Sequence, residues 1–175
     1  MAFTAETLLE QLTGFTPGSR FAVAYSGGLD STVLLHAMHH ALTLAGHAQG
    51  DIPLFSLRAI HVNHGLSPNA NQWQRLCEQQ CAHLGIALHV ERVKLDPEAL
   101  ANLESQARDL RYGVFERQLE ADECIVMAHH LDDQAETFLL RSLRGAGPRG
   151  LAAIPKRRPL GRAMLFRPLL EVAQA

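Results

Sequence analysis

Three short clusters carry residue types able to do chemistry: Ser26-Gly27-Gly28-Leu29-Asp30-Ser31, His61-Val62-Asn63-His64, and His129-His130-Leu131-Asp132-Asp133 with Glu136 a turn later. The first is a phosphate cradle in composition. Gly27 and Gly28 permit a tight turn and close backbone approach, and a helix starting near Asp30 or Ser31 aims its N–H groups and positive dipole end into that turn. Ser26, Ser31 and Thr32 add hydroxyl donors. The same residues would also serve a plain capping turn. The pattern lacks the lysine of a Walker A loop and carries Asp30 instead. A carboxylate beside a phosphate is repulsive unless a divalent cation lies between them, so use of this loop for phosphate predicts Mg²⁺ at Asp30.

The other clusters extend the site. Asp133 and Glu136 lie one helical turn apart and would project the same way from a helix start, although D-x-x-E is also a capping box. His129 stands four residues earlier, closing the preceding apolar run. A rival reading makes His61, His64, His129, His130, Asp132 and Asp133 the ligands of a metallohydrolase, but it leaves the glycine loop unused. On a further helical stretch Glu104, Arg108 and Arg111 form a charged stripe, either a solvated ion-pair face or a holder for an anion.

These clusters need elements to position them. Apolar runs of strand length alternate with longer segments of helical period. Helices are expected at Ala5–Leu12, Ser31–Ala45, Asn71–Leu84, Leu100–Leu119 and Asp132–Leu143. Strands are expected at "RFAVAY", "LFSLRAIHVN", "IALHVERV", "ECIVMAHH" and "AMLFRPL", with "RGAGPRG" as a loop. The alternation implies right-handed crossovers and an α/β fold, a parallel five-stranded sheet with helices on both faces. Ligands bind beyond the carboxyl ends of strands in such sheets, and the three clusters each follow one.

A chain of 175 residues with 47% hydrophobic and 19% charged residues suits one domain with a real core. No apolar run approaches the ~20 residues of a membrane span, and the acidic N-terminus does not resemble a signal peptide, so a cytoplasmic protein is expected. Cys77, Cys81 and Cys124 form no CxxC pair and read as buried or incidental thiols. The net charge of −2 conceals an asymmetry: residues 137–175 hold eight Lys and Arg against one acidic residue, while residues 1–136 hold eight against seventeen. The basic segment, with Arg141, Arg144, Arg149, Arg157 and Arg158, is a candidate surface for a polyanion.

Strand, SGGxDS, then helix resembles the PP-loop of the ATP pyrophosphatases, a Rossmann-like, adenine nucleotide alpha-hydrolase-like fold. Together with "HVNHGLSPNA", "ESQARDLRY", "AHHLDDQAET" and "RGAGPRGL", the chain from about Phe21 to Pro168 resembles the tRNA(Ile)-lysidine synthetase family. Ser67 departs from the arginine frequent there. The resemblance implies residues 1–175 as an ATP-binding catalytic domain, truncated before the C-terminal tRNA-recognition domains. It implies adenylation of the wobble cytidine C2 oxygen of tRNA(Ile), then displacement of AMP by free L-lysine. ATP is expected at Ser26, Gly27, Gly28, Leu29, Asp30, Ser31, His61, Asn63 and His64, with Mg²⁺ at Asp30. Asp30, His129, Asp133 and Glu136 are the expected catalytic set. The lysine amine is assigned to Asp133 and Glu136 and its carboxylate to Arg108 first and Arg111 second. The basic segment is assigned to tRNA. A tRNA thiolase is the alternative within the superfamily, though Cys77 and Cys81 fall mid-helix; a non-catalytic nucleotide-binding module is another.

Overall fold

The computed structural model describes residues 3–46, 54–65, 67–94 and 103–173. Its centre is β1 (Arg20–Ala24), where Phe21, Ala22 and Val23 are buried on both sides. A strand apolar on both faces belongs inside a parallel sheet covered by helices. Beside it run β2 (Ser56–Asn63) and β4 (Glu123–Val126), and β3 (Ala87–Arg92) lies outside β2. Two more strands, β5 (Arg157–Leu160) and β6 (Ala163–Phe166), complete the order β3-β2-β1-β4-β6-β5. All pairs are parallel except β5 with β6.

The sheet therefore has six strands, not the expected five. The added strand reads "RRPL" and lacks the apolar alternation that marks strands. Only the edge position lets it form: Pro159 lacks an N–H for a second neighbour, and Gly161, at φ +56°, supplies the turn into β6. The expected loop also holds a short helix, α6 (Pro148–Leu151), with proline in its first turn.

Helices cover both faces. On one, α1 (Ala5–Leu12), α2 (Leu29–Ala45) and α3 (Ala70–His83) bury Leu8, Leu12, Leu34, Leu35, Met38, Cys77 and Cys81 against β1. On the other, α4 (Leu103–Gln118) places Val114 and Phe115 on Ile60, Ile125 and Leu165. The expected start of α4 at Leu100 lies outside the described residues. By contrast α5 (Leu131–Leu143) buries no residue fully, and Phe138, Leu139, Leu140 and Leu143 are exposed. It is held instead by polar ties. Gln134 exchanges hydrogen bonds with the Ile154 backbone in both directions, and Arg141 donates to the carbonyls of Gly150 and Ala153.

The register places the carboxyl ends of β1, β2 and β4 side by side, with Val23 between Ala59 and Val126. The opposite end is closed by a structural ion pair. Arg58 grips the buried Glu123 with two bonds of 2.6 and 2.8 Å, and the arginine holds that carboxyl below its ordinary value against the desolvation that raises it.

Candidate active site

At the carboxyl ends of those strands lies a cavity of about 460 Å³, lined from three sides. Ser26, Gly28, Asp30 and Ser31 come from the turn after β1; His61, Asn63, His64 and Trp73 from β2 and α3; His129, His130 and Asp133 from the segment after β4. Arg111 reaches it from α4.

The turn is built as its sequence requires. Gly27 adopts φ +85°, and a Cβ there would stand 2.8 Å from the Cys77 sulfur, so both conformation and space demand glycine. Ser26 and Ser31 hydroxyls share a bond of 2.9 Å, and Ser31 and Thr32 both donate to the Gly28 carbonyl. Gly28 is the N-cap of α2 and brings no side-chain cap, so the helix begins at Leu29 with its positive end at the cavity. Leu29 itself is exposed and contributes backbone rather than side chain to the turn.

On the β2 wall His61, Asn63 and His64 all line the cavity. Asn63 spends both ends of its amide internally: Nδ2 donates to Gln74 at 3.0 Å, and Oδ1 accepts from Gly65 N at 2.9 Å. It therefore positions the following loop and α3. His61 donates from Nδ1 to the Tyr25 carbonyl at 2.9 Å, which leaves Nε2 as an acceptor. His64 keeps a buried Nδ1 without a hydrogen-bond partner, and burial with nearby Arg111 lowers its pKa. Arg111 likewise keeps a buried, unpartnered Nε, and desolvation lowers its pKa. Buried polar atoms left without partners are costly, so this pair marks where the cavity is prepared for a polar ligand.

The β4 wall holds the ionisable groups. The strand was expected to run through His130, but it ends at Val126; Met127 N still donates to the Phe166 carbonyl, and residues 127–130 line the cavity. Arg167, only 2% exposed, donates from Nε to His129 Nδ1 at 3.3 Å while its other nitrogens bond Pro155 O and Tyr112 Oη. The neutral His129 ring consequently carries its proton on Nε2. Burial, with the Arg167 charge beside it, pulls His129 from 6.5 down to about 4. His130 accepts from Asp132 N at Nδ1, and its Nε2 nitrogen stands 3.8 Å from an Asp30 oxygen and 3.6 Å from an Asp133 oxygen. Asp133 also accepts from the His130 backbone, so it is capping residue and cavity residue at once.

Other expected residues are placed apart. Glu136 is exposed one turn beyond Asp133 and does not line the cavity. Arg108 lies exposed over the Tyr112 ring, 5.4 Å from its centroid, and Arg111, not Arg108, lines the cavity. In the basic segment Arg157 packs over Phe15 and Phe166 and donates to Gln11 O, whereas Arg158 faces the other side of the strand, over Tyr112. Arg141 is spent on the α6 carbonyls. Arg144 remains exposed at the end of α5, and Arg149 lies on α6. The rival metal cluster is not assembled. Among the described residues no three His, Cys, Asp or Glu side chains are grouped to hold a metal ion.

The PP-loop domain family matches residues 1–175. The chain belongs to this family. Among curated proteins it is 46% identical over 172 residues to a tRNA(Ile)-lysidine synthase of Coxiella burnetii, covering 98% of the chain and 36% of the relative. It is 51% identical over 160 residues to that of Xanthomonas campestris, covering 91% and 35%. For Pseudomonas aeruginosa the figures are 48% over 168 residues, 96% and 36%. The chain thus spans about a third of these relatives' length. A solved U34-tRNA thiolase, NcsA from Methanococcus maripaludis, superposes with a TM-score of 0.74 over 97% of this chain and 58% of that one, at 19% identity, which shows a shared fold.

Two contributors to the surroundings of the cavity stand outside the sequence motifs. Arg167 carried a readable signal, a lone arginine inside the apolar run "LFRPLL". Trp73 carried one too, as the chain's only tryptophan.

Proposed function

We propose that this chain is the nucleotide-using core of a tRNA(Ile)-lysidine synthase, which joins L-lysine to the C2 position of the wobble cytidine through an adenylated tRNA and releases AMP and pyrophosphate. The observation that carries the reading is the convergence on one cavity of the PP-loop, two carboxylates, a neutral histidine and an arginine whose buried Nε has no hydrogen-bond partner. The names of the relatives support the acceptor and the base.

Each group has a task its geometry suits. The α2 N-terminus and the serine hydroxyls hold the polyphosphate of ATP. Asp30 and Asp133 supply hard oxygen donors, converging on the same His130 nitrogen, which fits Mg²⁺ held by Asp30 together with substrate phosphates. When bound, the ion neutralises phosphate charge. His129 donates from Nε2 to the oxygen being activated, and its low pKa keeps it a neutral donor. Asp133 holds the incoming ammonium and draws off its proton, with Glu136 at the rim. Arg111 pairs with the lysine carboxylate. Arg144, Arg149 and Arg158 guide the tRNA backbone. The protein acts in the cytoplasm, where tRNA, ATP and free lysine meet; no described helix is long and apolar enough to cross a membrane.

The test is an incubation of the protein with ATP, Mg²⁺, a tRNA(Ile) transcript and labelled lysine. AMP and pyrophosphate should form in equal amounts, with label entering the tRNA. Pyrophosphate release without tRNA, or sulfide accepted in place of lysine, would refute the assignment.

A further inference from the structure

Trp73 has no place in the reaction just described, yet it stands on the cavity wall. The indole of a lone tryptophan is 51% exposed, an expensive way to leave the largest apolar side chain unless something covers it. It sits in the first turn of α3, and the small residues Gly65, Ser67 and Ala70 line the same cavity.

The residue is also held firmly. Gln74, the next residue along, is buried and fixed at both ends of its amide: Oε1 accepts from Asn63 and Arg92, and Nε2 donates to Glu78 at 2.7 Å. The first turn of α3 is thereby tied to the ends of β2 and β3. An exposed aromatic on a rigid support is a pre-organised contact surface rather than a loose side chain.

The charges in the cavity are zoned. Asp30 on the PP-loop and Asp133 after β4 both face His130, while the described lining residues from β2 and α3, Trp73 among them, include no carboxylate. That wall also carries His61, whose Nε2 is left as an acceptor suited to an exocyclic amino group. A nucleotide with its polyphosphate on the PP-loop therefore meets an aromatic side chain and a hydrogen-bond acceptor, and no described carboxylate, on the β2 and α3 side.

We propose that Trp73 is the stacking platform for the nucleobase of the ATP bound at the PP-loop. The proposal rests on ATP being the nucleotide used here, and it assigns the base, rather than the phosphates, to a residue outside the motifs. Stacking on an indole depends on a π-face, so it tolerates different bases; selectivity for adenine falls to the polar partners.

Intrinsic fluorescence tests this directly, because the chain's emission comes from this single tryptophan, and a difference spectrum against Trp73→Phe isolates the signal in any longer form of the protein. ATP and AMP should quench it saturably, and inorganic tripolyphosphate should not. Trp73→Ala should weaken ATP binding about five- to 150-fold, as loss of one base stack implies, while tripolyphosphate affinity is unchanged and Trp73→Phe stays near wild type. Calorimetric binding of ATP with no change in indole emission would overturn the proposal and leave the proposed function standing. Absence of ATP binding would overturn both. Quenching by an anticodon stem-loop and not by ATP would give the platform to the target base, and equal loss of tripolyphosphate binding in Trp73→Ala would make it a scaffold; either result overturns the proposal.

Discussion

Lowering the pH should destabilise the protein through His129, and the amount can be worked from its environment. The half-buried ring accepts a hydrogen bond from Arg167 and is pulled from 6.5 to about 4 by desolvation first and the arginine charge second. Between those two values the unfolded chain holds a proton on this ring that the folded protein lacks. Stability from this group is therefore fully present above pH 6.5 and falls as the pH drops toward 4. The loss reaches about 2 kcal/mol at pH 5 and about 3 kcal/mol once both states are protonated. The assay is denaturant unfolding of wild type and His129→Gln across this range, since an amide can accept the Arg167 bond but does not titrate. The wild type should lose about 2 kcal/mol more than the variant between pH 7 and pH 5. Equal slopes, or a His129 ring resonance that titrates near 6.5, would refute both the neutral tautomer and its role as a fixed donor.

Gly27→Ala should lower the melting temperature and abolish nucleotide binding, because the backbone at φ +85° costs about 1–2 kcal/mol for a residue with a Cβ and the Cys77 sulfur blocks the space. Adding Cys77→Ala should recover part of the stability but not the backbone part, as a thermal melt of the double variant would show. Asp30→Asn should leave the melt within about 1 kcal/mol of wild type, the scale of a first-turn charge on a helix, while Mg²⁺-dependent pyrophosphate release drops much further. Arg111→Gln should raise the KM for lysine about ten- to hundredfold with little effect on that for ATP, the cost of one charge-assisted bond, and Arg108→Gln should do neither. Iodoacetamide should label Cys77 only slowly at pH 8, since burial pushes that thiol up to about 11.

The apolar face of α5 gave no warning in the sequence. The expected helix Asp132–Leu143 carries Leu139, Leu140 and Leu143, and the structure leaves all three exposed. The periodicity of a helix says that it has an apolar side, not what covers that side.

Local chemistry was legible from the sequence alone. The turn at Gly27 and Gly28, the helix after it, the buried central strands and the lesson of Asp30 in place of a lysine all follow from short-range sterics and from charge beside charge. These act between neighbours, so neighbours in sequence report them. The placement of strand-end clusters on one edge was legible too, because parallel crossovers send every carboxyl end the same way. Four matters were settled only by the tertiary structure. An edge strand with no pattern of its own formed because β6 offered it a partner. Asn63, which lines the cavity, is tied to α3 because Gln74 meets it, eleven residues away. Arg111 reached the cavity and Arg108 did not, a choice made by the rotation of α4 on the sheet. His129 acquired its tautomer from Arg167, 38 residues further on, by a hydrogen bond. Each depends on which side chains are brought together by packing, and burial then decides which protons they keep.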